Sequence, residues 1–173
     1  MRWRRLPGMP VLALDSGAVI GKVRQAVIDP EERKVAALLV QPARSWVRQF
    51  LPMEAVRALG GHAVTVESRE ALIPVRQDER LWTLLVKKRI ALAGSPVITA
   101  GGDLVGGVRD YEIGQGGAIT RLYVGEGGWR FLTGSEREIP AASLLALGRD
   151  AVIVTEEALD APRQERSPGD GGD

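Results

Sequence analysis

The chain repeats itself: the apolar and glycine pattern of residues 8–68 recurs in the same order over residues 94–156. Two copies of one pattern build two copies of one folded unit, so the repeat limits the architecture before any local structure is read. Gly8-Met9-Pro10-Val11-Leu12 matches Gly94-Ser95-Pro96-Val97-Ile98, with Leu6 and Leu92 standing before the two starts. Ile20-Gly21-Lys22-Val23-Arg24 matches Val105-Gly106-Gly107-Val108-Arg109, and Val35 to Val40 matches Ile119 to Val124. The closing blocks, Leu51-Pro52 to Ala63-Val64-Thr65-Val66 and Ile139-Pro140 to Ala151-Val152-Ile153-Val154, align without a gap. Length differences fall between the blocks, where turns tolerate insertion.

Each copy reads as five short strands and one helical turn. Val11–Leu14 ends at the turn residues Asp15-Ser16-Gly17. The β-branched stretch from Val19 to Ile28 is turned back by Asp29-Pro30 into Lys34–Val40. Phe50-Leu51 starts a further strand, Pro52 opens a helical turn through Leu59, and Ala63–Val66 closes the copy. Gly114-Gln115-Gly116-Gly117 replaces the acidic turn in the second copy and predicts a hairpin with positive φ. Between the copies, Leu81, Leu84, Leu85 and Lys88 fall on one face of a helix over 78–89, expected as a strut between the two units. The expected fold is mainly β: two small antiparallel β-barrels at 1–68 and 94–160, a helical linker at 69–93, and a disordered tail at 161–173 whose composition is polar with proline and glycine.

Units of this size bury only about 60% of their unfolded surface, so each is expected to pack on the other or on a partner. There are no cysteines, which excludes disulfides, thiolate metal sites and cysteine nucleophiles, and fits a reducing cytoplasm. Met1-Arg2-Trp3-Arg4-Arg5 is basic like the start of a secretory signal, but Pro7, Gly8 and Pro10 interrupt the segment that would have to be its apolar core. No apolar run approaches the roughly 18 residues of a membrane helix, so no direct membrane span is expected.

Charge is uneven. Residues 1–93 hold sixteen Lys and Arg against nine Asp and Glu, a net of +7; residues 94–160 hold five against ten, a net of −5; the tail is −1. Two readings stand: divergence of solvated surfaces, or a basic half facing an anionic partner such as RNA through Arg2, Arg4, Arg5, Lys87, Lys88 and Arg89.

At this point the order of blocks carries a resemblance. A G-x-P-V start, a V-I-G-x-V or L-V-G-G-V strand, a hairpin, and the ending from Leu-Pro or Ile-Pro through Leu-Gly to Ala-Val-x-Val resemble the PRC-barrel domain. That family is named for the cytoplasmic domain of the photosynthetic reaction centre H subunit and also forms the C-terminal half of RimM-type ribosome maturation factors. The resemblance covers both repeats. It rests on apolar and glycine positions, so it implies a fold strongly and an activity weakly. Here the first half resembles a PRC barrel where RimM carries a different barrel, and no membrane helix like that of the H subunit is present. What the resemblance implies is a non-enzymatic binding or assembly role.

Catalysis is not expected, and no cofactor or metal site is read. The single histidine, His62, lies in a turn, with Asp150 as its repeat partner. One histidine without cysteine supplies neither a nucleophile–base pair of the familiar kinds nor a zinc site. Glu31, Glu32, Glu136 and Glu138 fall in expected turns or loops, where charge is solvated. Gly101-Gly102 and Gly106-Gly107 precede a strand instead of a helix N-terminus, so phosphate-cradle physics is missing. The binding candidates lie where the copies differ most: Arg44, Trp46, Arg48 and Phe50 in the first, Trp129, Arg130 and Phe131 in the second. Trp and Arg anchor protein interfaces and stack on bases; the same aromatics can also cover barrel ends. The expectation is a protein-binding module with an unidentified partner, self-association left open, and an RNA- or ribosome-associated factor as the alternative.

Overall fold

The computed structural model describes residues 1–125 and 135–164. The chain divides into two compact units, Met1–Ile90 with Glu112–Ile119, and Ala91–Tyr111 with Thr120–Asp173.

Seven strands form the first sheet: β1 (Pro10–Ala13), β2 (Ala18–Asp29), β3 (Lys34–Pro42), β4 (Gln49–Pro52), β5 (Val56–Leu59), β6 (Val64–Val66) and β7 (Ile73–Pro74). Their spatial order is β5-β6-β1-β2-β3-β4-β7. The second sheet uses β8 (Pro96–Thr99), β9 (Leu104–Ile113), β10 (Ile119–Gly125), β11 (Glu136–Pro140), β12 (Leu144–Leu147), β13 (Val152–Val154) and β14 (Arg163–Gln164), in the order β12-β13-β8-β9-β10-β11-β14. The orders are identical when each strand is advanced by seven.

The correspondence extends to register. Val11 pairs with Gly21 and Val64, and Val97 with Gly106 and Val152, with a bulge after Val11 and after Val97. Gly8, at φ +86°, donates its N–H to the Val23 carbonyl at 2.7 Å; Gly94, at φ +87°, donates to Val108 at 2.7 Å. Both glycines occupy a backbone conformation that side chains resist, which explains why both copies begin with glycine.

Two expectations change here. The span expected as a helical turn from Pro52 to Leu59 is a three-residue turn, Met53–Ala55, followed by strand β5. The barrels are also not purely antiparallel, because β1 pairs with β6, and β8 with β13, in parallel. Together they dictate the shape of the sheet. Strands β4 and β5 run in the same direction at opposite sides of the sheet, and four Cα steps from Pro52 to Val56 span at most about 14 Å. Laid flat, the five strand spacings between them would cover about 24 Å. The sheet therefore has to curl, and each sheet is a half-barrel. Ala141–Ser143 makes the same short crossing in the second copy. Inside the curl, Val11, Leu38, Val40, Leu51, Val64 and Val66 have no exposure, and neither do their counterparts Val97, Leu122, Val124, Ile139, Val152 and Val154.

The outer faces differ. In the first unit Val27, Ala37, Leu39 and Phe50 form a second core with Leu81 and Leu84. Those leucines belong to α1 (Glu79–Thr83) and the wider π turn Leu84–Lys88 that continues it. The linker helix thus covers one sheet face of the first unit. Asp78 caps it by accepting the Leu81 N–H at 2.8 Å, and Arg89 ends it at φ 50° with an N–H bond to the Leu84 carbonyl at 3.0 Å. Register places Arg121, Tyr123 and Glu138 where the first unit has Ala37, Leu39 and Phe50. Arg121 and Glu138 pair at 2.5 Å. An apolar, helix-covered face in one copy is a charged face in the other.

Candidate functional site

The loop between β3 and β4 holds the most exposed aromatic residue among the described residues. Trp46 is 97% exposed and Val47 67%. The loop is held locally: the Ala43 N–H donates to the Ile20 carbonyl at 3.0 Å, the Gln41 side-chain amide donates to the Ser45 carbonyl, and Ser45 Oγ accepts the Val47 N–H at 3.1 Å. That last bond is the short turn that serine favours, and Trp46 sits at its centre. Arg44 and Arg48 flank it, both exposed.

Phe50 separates from this group. It lies on β4 opposite Leu39, has no exposure, and belongs to the core beneath α1. Its proximity in sequence to Trp46 had joined two residues that the start of a strand divides. Trp129, Arg130 and Phe131 lie outside the described residues.

Other apolar side chains are exposed at the same end of the first sheet. Val19, 48% exposed, precedes Ile20, whose carbonyl holds Ala43. Leu14, 50% exposed, follows β1 and donates its N–H to Val66. Sequence reading missed both, although the repeat carried a signal: Val19 pairs with Leu12 as Leu104 pairs with Ile98, and Leu104 is 66% exposed. Both copies present an apolar residue at that strand start.

The basic residues are not gathered around Trp46. Lys87, Lys88 and Arg89 are exposed at the C-terminal end of the helical segment, where the helix dipole favours cations. Lys88 reaches Glu31, at the β2–β3 turn, at 3.9 Å. Arg44 and Arg48 lie at the other end of the nine-residue β3, roughly 30 Å away along the strand. Arg4 and Arg5 are exposed near the start of the chain, and the backbone of Arg2 bridges to Glu112.

The carboxylates take structural roles. Asp29 is 5% exposed and accepts N–H bonds from Glu31 at 2.9 Å and Glu32 at 3.0 Å, while Arg80 from α1 binds both Asp29 and Glu32. Burial alone would raise its pKa, but the two N–H bonds and Arg80 outweigh burial and hold it below the ordinary carboxylate value. Glu136 and Glu138, expected in a loop, lie on β11, and Glu136 is buried. In the second unit Asp110 is fully buried and accepts the Tyr111 N–H at 2.9 Å. Burial, with the Asp110 charge beside it, pushes the Tyr111 phenol well above its ordinary value, so it stays protonated. Among the described residues, no three His, Cys, Asp or Glu side chains group closely enough to hold a metal ion, and no helix is long and apolar enough to cross a membrane. A groove of about 390 Å³ runs along the edge strand β5 and is lined by Met53, Val56, Leu59 and Gly114–Gly116, with Arg57 as its charged side chain. That composition suits contact and provides no acid–base pair.

Compared with known proteins, residues 1–73 match the PRC-barrel domain, a span that includes the Trp46 loop. A second barrel-like sheet follows it in the structure. No curated protein matches the chain.

Proposed function

We propose that this chain is a tandem PRC-barrel protein acting as a non-catalytic binding or assembly module, with the Trp46 end of the first unit as its protein-contact surface. One observation carries the reading: a tryptophan exposed at 97% on a loop fixed by its own hydrogen bonds, beside Val47 and two arginines. Monomeric proteins rarely leave such a group in water, whereas buried Trp with Arg beside it is the usual composition of interface anchors. The PRC-barrel match over residues 1–73 supports a binding role. The RNA or ribosome alternative, drawn from the likeness to RimM, needs a continuous basic track, and the two basic groups stand at opposite ends of the β2–β3 hairpin. The aliphatic neighbours Val19 and Val47 also favour protein, since they have no use in stacking on bases. Affinity purification of the wild type and of Trp46→Ala, both shown to be folded, tests the reading. A specific protein lost with Trp46→Ala supports it; recovery unchanged by the substitution, or recovery of RNA alone, rejects it.

A further inference from the structure

Resting on that reading of Trp46, we infer that its partner is a second copy of this chain, which receives the Trp46 loop on the turn between β8 and β9. The two surfaces complement each other. The loop from Pro42 to Gln49 contains two exposed arginines and no carboxylate, around Trp46 and Val47. The turn offers Leu104, 66% exposed, next to the exposed Asp103 and the bare backbone of Gly102. Glu156, also exposed, accepts the Gly101 N–H at 2.6 Å, so two carboxylates, Asp103 and Glu156, stand at this turn.

Gly102 leaves the turn open, while the Glu156 carboxylate lies against Gly101. A Cβ on Gly102 would project into open space, and one on Gly101 would meet Glu156 Oε1 at 2.9 Å. The open backbone at Gly102 beside a leucine suits an indole ring, and the carboxylates of Asp103 and Glu156 suit Arg44 and Arg48. The net charges of the halves, +7 over residues 1–93 and −5 over 94–160, favour the same pairing at longer range. Loop and turn are different patches, which makes the contact heterologous: each copy gives one surface and offers the other, so association proceeds head to tail, to a ring or an open chain.

Sedimentation velocity of the full chain tests this. The wild type should grow in mass with concentration from the micromolar to the millimolar range. The growth should fall at least tenfold in association constant as screening shortens from about 10 Å in 0.1 M salt to about 3 Å in 1 M salt. Trp46→Ala removes the loop anchor and Leu104→Lys spoils the turn; each variant alone should be monomeric. Mixed, they should form one-to-one dimers and stop, because each keeps the surface that the other has lost. Arg44→Glu combined with Arg48→Glu should behave like Trp46→Ala in the same mixture. A wild type that stays monomeric at millimolar concentration in low salt overturns the inference, as does a mixture that fails to pair. A Trp46-dependent partner other than this chain also overturns it while leaving the binding role intact; loss of all Trp46-dependent binding overturns both.

Discussion

Trp46 and Phe50 lie four residues apart, and the structure places one in solvent and the other in the core, a difference that substitution to alanine can read. Phe50 has no exposure and packs in a cluster with Val27, Leu39, Leu81 and Leu84. Burying such a ring is worth about 1.5–3 kcal/mol by transfer alone, and the cavity left behind raises the expected cost of Phe50→Ala to about 3–5 kcal/mol. Against a typical total of about 5–15 kcal/mol, that is a large share. Trp46→Ala removes a side chain that touches almost nothing, so its cost should stay within about 0.5 kcal/mol. Urea unfolding followed by circular dichroism reads the difference. With a slope of about 1–3 kcal/mol per molar urea, Phe50→Ala should lower the midpoint by about 1 M or more and Trp46→Ala by less than about 0.5 M. Equal losses would show that Trp46 is a core residue and that the proposed contact surface does not exist.

The duplicated start makes a matched prediction: Gly8→Ala and Gly94→Ala should each cost about 1–2 kcal/mol in urea titration, since both glycines hold positive φ and a Cβ would meet nothing within 4 Å. Gly117→Ala, at the same φ of +86° but with its Cβ 2.1 Å from the Val35 carbonyl oxygen, should cost more than either. For Asp29 the sign follows from its lowered pKa: the stabilisation is complete above the unfolded value near 3.8 and is lost as pH falls through the lower folded value. Urea midpoints measured against pH should therefore show Asp29→Asn less stable than wild type at neutral pH, with a shallower loss below about pH 4.

The repeat was legible because burial constrains it: Val11, Leu38, Leu51 and Val64 fill the same interior positions as Val97, Leu122, Ile139 and Val152, so both copies keep them apolar. The β4–β5 crossing was not legible. Pro52 at the start of a turn reads equally well as the first residue of a helix, and only the closure of the sheet makes Val56–Leu59 a strand. Parallel pairing of β1 with β6 has no local signature at all, since it follows from how many times the chain reverses before returning. The helix was found from the spacing of Leu81, Leu84 and Leu85, but what it covers depends on Leu39 and Phe50, which are distant in sequence. Within the candidate site, Arg44, Trp46 and Arg48 were visible as a divergent loop. Phe50 was misjoined to them because composition does not show where a strand begins, and Val19 and Leu104 were overlooked because strand starts look alike whether covered or exposed.

The most direct test of the central claim is to place a photo-activated cross-linking residue at the exposed position 47, beside an intact Trp46, and irradiate it in cells. A protein adduct formed there, and absent when the same residue replaces exposed Arg149, is the predicted result. No protein adduct at position 47, or adducts to RNA alone, would contradict the claim that this loop is a protein-binding surface.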